Sequence, residues 1–170
     1  MAKRKLTGLS SELSVTPFTE LAREPDVITD LGKGQHLRIW HGHAEPWRGQ
    51  GWRIVLPIEA PGYNQQRGMH WGALSRFKAT IGNMLASVAA SSSITKATGR
   101  RRVQIRHYRW AKLDKNDNLG PAEKQIVDAM KRKGGLGWLI DDDEKWAERL
   151  PPLQFVDRKN RRVEIYLQEA

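Results

Sequence analysis

The spacing of apolar residues along the chain predicts two main helices. Over residues 70–90 they recur every three or four positions and form one stripe, which is typical of an amphipathic helix. The members of this stripe are Leu74, Phe77, Ile81, Met84, Leu85 and Val88. A second helix is predicted over residues 121–133, because Pro121 suits a first helical position and Gly134 suits an exit.

Shorter apolar segments predict strands. Residues 36–41 and 52–58 flank a turn rich in Pro and Gly, and we expect them to pair as a hairpin. Residues 101–113 alternate, with Val103 and Ile105 on one face of a strand and polar or aromatic residues on the other.

The remaining segments complete an expectation for the fold. A short strand is predicted at 137–140, and a final hairpin is predicted over 152–168 with its turn near Asp157–Asn160. The order strand, helix, strand, helix, strands indicates an α+β fold, a mixed β-sheet flanked by two main helices. Residues 1–35 are polar and broken by Pro and Gly, so we expect an N-terminal extension before a domain over 36–170.

The charge balance indicates what kind of partner the protein has. The chain contains 29 Lys and Arg against 19 Asp and Glu, which gives a formal net charge of +10. This excess favours a polyanionic partner, most simply nucleic acid, over a charge that serves solubility alone. The sequence has no Cys, which excludes disulfides, Cys-ligated zinc and thiol nucleophiles. No apolar run approaches the ~20 residues that a membrane-spanning helix needs.

Acidic residues gather on both sides of the second predicted helix. Asp114 and Asp117 precede it, and Asp141, Asp142 and Asp143 follow it in one row. Two unit charges ~4 Å apart repel by about 1 kcal/mol even in water, and a divalent cation relieves that repulsion. Mg²⁺ prefers such oxygen ligands. The residues alone leave two interpretations open: a magnesium site beside a nucleic-acid surface, or a solvated acidic loop and a turn.

The residues around this helix resemble the signature of the RusA-like Holliday junction resolvases, small endodeoxyribonucleases of bacteria and their phages. In that family an Asp-x-Asp-Asn-Leu stretch is followed by a Lys and then by Asp-Ala-Leu. A Gly and some apolar residues then lead into Asp-Asp. The positions that match here are Asp117-Asn118-Leu119, Lys124, Asp128-Ala129-Met130, Gly137 and Asp141-Asp142.

A second block of residues is similar to the N-terminal strand and turn of the same family. Its matching positions are Pro61, Asn64, Arg67, His70, Trp71, Arg76 and Lys78. The two blocks stand in the family's order and cover residues 52–167. The candidates for contacts with DNA phosphates are Asn64, Arg67, His70, Arg76 and Lys78. Trp71 is predicted to belong to the core rather than to stack on a base.

The resemblance implies a Mg²⁺-dependent endodeoxyribonuclease that cleaves branched DNA, such as Holliday junctions, in recombination and repair. Its implied metal ligands, for Mg²⁺ or Mn²⁺ as a substitute, are Asp114, Asp117, Asp141 and Asp142. The implied catalytic residues are Asp114, Asp117 and Asp142, with Lys124 near the scissile phosphate. A homodimer is implied because both strands of a two-fold-symmetric junction must be cut. The implied compartment is the cytoplasm of a bacterium or of a phage-infected host.

Two departures from the family pattern keep an alternative open. The family's paired acids are separated by one residue, which places both on one face of a strand. Here Lys115 stands two positions before Asp117, and Asp114 stands three before, so Asp114 joins the site only through a bulge. An inserted Gly120-Pro121 precedes Lys124, which could equally be a solvated lysine. The alternative function is a non-catalytic nucleic-acid-binding protein on the same fold.

Overall fold

The chain divides into two compact units, Met1–Ile39 and Trp40–Ala170. In the computed structural model the described residues are 27–30, 36–39, 42–47, 51–113 and 119–170, the first two ranges as backbone alone and Gln65 without its side chain. The predicted N-terminal extension, residues 1–35, lies outside the described residues except for one short strand.

The first unit contains an antiparallel pair of strands, β1 (Val27–Asp30) and β2 (His36–Ile39). β2 falls in the segment that was expected to pair with residues 52–58, so that predicted partner is wrong. The strand that pairs with residues 51–55 begins after Gly42, where a Cβ atom would lie 2.8 Å from the Val88 side chain. The backbone passes so close to Val88 at this point that only glycine fits, and the following residues form the strand.

The second unit is built on a mixed sheet with six strands among the described residues. They are β3 (His43–Trp47), β4 (Gly51–Leu56), β5 (Arg101–Arg109), β6 (Ala147–Arg149), β7 (Leu153–Val156) and β8 (Arg162–Glu169). The order is β3-β4-β8-β5, and β6 and β7 follow one another along the outer side of β5. Both pair with β5 in parallel, whereas the other neighbours are antiparallel. The predicted α+β class is confirmed.

The described residues form three helices beside the sheet: α1 (Tyr63–Arg67), α2 (Trp71–Ser91) and α3 (Gly120–Met130). α2 and α3 are the two main helices expected from the sequence. α3 begins one residue before the predicted start and ends at Met130 rather than at residue 133, and Pro121 lies in its first turn, where a missing N–H costs nothing. None of the described helices is long and apolar enough to cross a membrane.

The end of α3 is wrapped by the residues that follow it. The Leu136 N–H donates to the Ala129 carbonyl at 3.0 Å, and the Leu139 N–H donates to the Met130 carbonyl at 3.0 Å. This return needs Gly134 and Gly137, which have φ of 80° and 77°. The strand predicted at 137–140 is wrong, because the segment forms an isolated bridge instead.

The core lies between the helices and one face of the sheet. Ile54, Ile165 and Ile105 stand in one row across β4, β8 and β5, and each is at most 2% exposed. α2 covers this row with Leu85, and α3 covers it with Ile126, both fully buried. Because β8 is central and buried along most of its length, truncating Ile165 to Ala should cost about 2–5 kcal/mol.

The last two strands do not form the predicted hairpin. β7 runs parallel to β5 on one side, and β8 runs antiparallel to β5 on the other. The turn at Asp157–Asn160 therefore crosses the end of β5, over two strand spacings of ~4.8 Å. The Asp157 N–H donates to the Arg109 carbonyl at 2.8 Å, which fixes the crossing.

β6 and β7 form one edge strand with a break. The Leu150 N–H still donates to the Val103 carbonyl at 2.9 Å, and pairing then stops at Pro151 and Pro152. Proline has no N–H, so it cannot continue the ladder. Pairing resumes at Leu153.

The face of the sheet opposite the helices is filled by its own charged and aromatic side chains. Glu164 is 1% exposed and accepts hydrogen bonds from Arg53 at 2.6 Å, Arg162 at 2.7 Å and Tyr166 at 2.7 Å. Burial opposes its charge, but these donors lower the pKa of Glu164 to about 2. The Arg162 guanidinium also lies 3.6 Å from the centre of the Tyr108 ring. A buried carboxylate with three donors thus ties β4 to β8.

Candidate nucleic-acid interface and acidic row

The positive charge of the protein is concentrated in one stretch of the chain. Residues 60–113 contain ten Lys and Arg and no Asp or Glu, and the remaining 19 Lys and Arg equal the 19 acids in number. The whole formal net charge of +10 therefore belongs to the stretch that builds α1, α2 and β5. Three of these cations, Arg101, Arg102 and Arg109, pair with acids from other parts of the chain. The other seven form no ion pair within the described residues, so they can attract a polyanion.

The residues predicted to contact DNA are all exposed. Asn64 and Arg67 lie on α1, His70 caps α2, and Arg76 and Lys78 follow on the first two turns of α2. We call this set the basic surface. Within the described ranges, none of its members forms an ion pair with an acidic side chain, so its cations remain available to a partner.

Buried polar contacts fix the loop that carries the basic surface. The Arg109 guanidinium donates to the Ala60 carbonyl and pairs with Glu59 at 3.5 Å. Gln66 donates to the Pro61 carbonyl at 2.9 Å inside the same loop. The entry into α1 is thereby anchored to the end of β5, which restricts where the exposed cations can lie.

Trp71 does not belong to the core, so that prediction is wrong. It is 77% exposed, and its ring centre lies 5.6 Å from that of His70. The physical reason is the position of α2: from Trp71 to Thr80 no residue is fully buried, and burial begins at Ile81. The first half of α2 is therefore less deeply packed than the second, and its first residue, Trp71, is exposed near the cations of the basic surface.

The acidic row, Asp141–Asp143, lies beside the C-terminal end of α3. The Lys131 ammonium stands 3.0 Å from Asp142, 3.1 Å from Asp128 and 3.9 Å from Asp141. The hydrogen bond from Lys131 lowers the pKa of Asp142, and the same bond raises the pKa of Lys131. The ammonium thus occupies the space among three carboxylates that a cation would otherwise take.

Lys124 is 65% exposed and pairs with Asp128 at 3.5 Å. It reaches the acidic row only through a chain of alternating charges, because Asp128 also pairs with Lys131. Asp128 and Lys131 were not predicted as members of this cluster. Their spacing of three residues at the end of α3 could have predicted the pair between Asp128 and Lys131, but not the contact of Lys131 with the acidic row.

Asp114 and Asp117 lie outside the described residues. They precede Leu119, where the described chain resumes at the start of α3, whereas the acidic row meets α3 at Lys131. Along the helix axis Leu119 and Lys131 stand roughly 18 Å apart. Among the described residues no group of three His, Cys, Asp or Glu could hold a metal ion. Asp141 and Asp142 offer the oxygen atoms that Mg²⁺ prefers, but they do not by themselves form its site.

No family model matches the chain, and no curated protein matches it either. The likeness to RusA-like resolvases therefore remains a hypothesis that rests on its two blocks of residues.

Proposed function

We propose that the protein binds branched DNA through the basic surface and cleaves it as a Mg²⁺-dependent endodeoxyribonuclease of the Holliday junction resolvase type. The observation that carries the proposal is the acid-free stretch 60–113, which holds the whole net charge and displays unpaired cations beside an exposed aromatic ring. This combination suits a partner with phosphates and accessible bases.

The cations of the basic surface act on the phosphate backbone. Arg67, Arg76 and Lys78 are exposed, so each can displace a condensed counterion from DNA. Every such contact steepens the fall of log K with log salt by about 0.9. The affinity of the protein for DNA should therefore depend strongly on salt.

Trp71 supplies the preference for a branch. In a continuous duplex the bases are stacked and their faces are hidden, whereas a branch point exposes some of them. An indole that is 77% exposed can lie against such a base, with Arg67 and Arg76 nearby in sequence to hold the flanking phosphates. This is the specific role that we propose for Trp71.

The cleavage half of the proposal rests on the carboxylates on either side of α3. Asp117 and Asp142 would hold the metal, with Asp114 and Asp141 as further ligands. A bound Mg²⁺ supplies an activated water and neutralises charge on the phosphate under attack. Asp142 accepts from the Lys131 ammonium through Oδ1 at 3.0 Å, so its other carboxylate oxygen would be the one to bind the metal. Lys124 would assist electrostatically near the scissile phosphate.

A homodimer in the cytoplasm of a bacterium or a phage-infected host completes the proposal. A four-way junction has two-fold symmetry, and two symmetric cuts need two active sites. Light scattering tests this part directly, since a strict monomer in the presence of a junction contradicts symmetric cleavage.

One observation favours the alternative, a nucleic-acid-binding protein without cleavage. Lys131 already pairs with Asp142 at 3.0 Å and with Asp128 at 3.1 Å, which is the geometry of a structural ion pair. In that case the basic surface would serve binding alone.

The test uses a synthetic four-way junction and a linear duplex of the same length, each with and without Mg²⁺. Four proteins are compared: the wild type, Asp117→Asn, Asp142→Asn, and Glu144→Gln as a control for a lost exposed acid in the same segment. Binding is measured by fluorescence anisotropy, and cleavage is measured on a denaturing gel.

The proposal expects the wild type and the control to nick the junction and both Asp variants to bind without nicking. Binding with no cleavage by any protein establishes the alternative. If the wild type binds junction and linear duplex equally and weakly, the proposed role of the basic surface and Trp71 is wrong.

A further inference from the structure

A second group of unpaired cations lies at the opposite end of α2 from the basic surface. It is formed by two neighbouring segments, loop 92–100 and turn 131–137. The exposed cations that they carry are Lys96, Arg100, Arg132 and Lys133. We propose that these residues, which we call the second cationic site, bind the phosphate backbone of the same DNA.

The two segments are joined tightly enough to act as one surface. The Ala97 N–H donates to the Gly137 carbonyl at 2.8 Å, and Arg132 donates to the Ala97 carbonyl at 2.6 Å. The side chain of Lys96 lies over Gly137, where a Cβ atom would approach it to 3.4 Å. Loop 92–100 and turn 131–137 are therefore joined into one surface that carries all four cations.

The charges of the second cationic site are not consumed within the protein. In the described part of the chain none of its four cations pairs with an acid, whereas the adjacent Arg101 and Arg102 pair with Glu169 and Glu148. Asp141 and Asp142, which follow the turn, pair with Lys131 and with none of these four cations among the described residues.

The turn also gives a phosphate room to approach. Gly134 and Gly135 are exposed, and no side chain projects from the two positions that follow Lys133. Backbone N–H groups in glycine-containing turns can approach phosphate oxygens closely, and neighbouring cations add to the attraction.

The geometry of α2 sets the spacing of the two sites. The helix has 21 residues, which corresponds to roughly 30 Å, or about nine base pairs of duplex. Its exposed side carries small and polar residues and no acid, such as Ser75, Thr80, Asn83 and Ala86. A duplex arm that binds the basic surface can thus follow α2 to the second cationic site without meeting a repelling charge.

This inference rests on the proposed function, and its test distinguishes a failure of the second cationic site from a failure of the proposed function. The variant Arg100→Gln/Lys133→Gln removes one Arg and one Lys that make no side-chain hydrogen bond in the described residues. The matched control Arg158→Gln/Lys159→Gln removes the same charges from the exposed turn between β7 and β8. Affinity for a four-way junction is measured by anisotropy over a range of salt concentrations.

We expect the variant to bind with an affinity lower by on the order of tenfold near physiological salt, and the slope of log K against log salt to become less steep by about 1.8 for two lost contacts. The control should match the wild type. The defect should appear with junction arms of about 16 base pairs and vanish with arms of about 6, which are too short to span α2.

Two results would overturn this inference while leaving the proposed function intact. One is a variant that matches the control in affinity and slope, and the other is a defect that is equal for long and short arms. Loss of all DNA binding by the wild type would remove both proposals together. Thermal unfolding of each variant establishes that it is folded. If the double variant fails to fold, the single variant Lys96→Gln takes its place in the same assay.

Discussion

His107 makes the stability of the protein depend on pH in a way that can be calculated. Its side chain is 1% exposed on the core face of β5, and among the described residues neither ring nitrogen has a hydrogen-bond partner. Burial, with a smaller effect of the Arg109 charge, lowers the pKa of His107 from 6.5 to about 4. The folded protein therefore keeps this imidazole neutral at pH values where the unfolded chain already binds a proton.

The sign and size of the effect follow from proton linkage. The contribution of His107 to stability is complete above pH 6.5, and it is lost as pH falls from there through the folded pKa of about 4. The folded and unfolded pKa values differ by roughly 2.5. Relative to its value above pH 6.5, the free energy of unfolding should therefore be lower by about 3 kcal/mol near pH 4 and by about 2 kcal/mol at pH 5.

The variant His107→Leu isolates this effect, because Leu fills a similar volume and cannot titrate. Urea unfolding of the wild type and the variant is measured from pH 8 to pH 5. The variant should be equal to the wild type or more stable at pH 8, because it removes two buried polar atoms without partners. At pH 5 the difference in free energy of unfolding should favour the variant by about 2 kcal/mol more than it does at pH 8. Parallel pH profiles for the two proteins would refute the reasoning.

Three further predictions concern stability and binding. Glu164→Gln should destabilise the protein by about 3–5 kcal/mol in urea unfolding, because it leaves Arg53 and Arg162 without their buried counter-charge; a loss below about 1 kcal/mol would contradict this. Burial raises the pKa of Glu123 from 4.5 to about 7. Ionisation of Glu123 therefore lowers the stability of the folded protein as the pH rises from 4.5 through 7. Glu123→Gln should therefore raise the melting temperature at pH 8 and leave it unchanged at pH 4.5, and equal shifts at both pH values would count against it. Trp71→Ala should leave the melting temperature unchanged, since the side chain is 77% exposed, and should weaken junction binding by about 1–3 kcal/mol; unchanged affinity in the anisotropy assay would dismiss the stacking role.

Elements with strong local periodicity were predictable from the sequence. α2 begins at Trp71 and ends at Ser91, close to the predicted 70–90, because its stripe repeats over many turns. The alternation in β5 also gave the correct faces, with Val103 and Ile105 buried. In both cases the signal lies within one segment and needs no knowledge of its neighbours.

Pairing between segments was much less predictable. The final hairpin is wrong because β7 and β8 carry the turn and strand signals of a hairpin, yet β5 lies between them. Local composition fixes that the chain turns at Asp157–Asn160, but it does not fix how far apart the two strands lie after the turn. The first predicted hairpin differs in a similar way, because β2 pairs with β1, and β4 pairs with β3, which begins after Gly42.

In the candidate site, too, properties of single residues were predictable and contacts between segments were not. Exposure of the five DNA-contact candidates follows from their polarity, but the exposure of Trp71 depends on which part of α2 packs on the core. The clustering of Asp128 and Lys131 with the acidic row depends on the return of the chain after α3, which spacing alone does not specify.

The proline break between β6 and β7 affects how copies of the protein can associate. An uninterrupted outer strand would offer a row of free N–H and C=O groups on which a foreign chain could assemble as in amyloid. Pro151 and Pro152 interrupt that row after three residues of β6. Subunits of the proposed homodimer should therefore meet through side chains rather than by extending one continuous sheet across this edge.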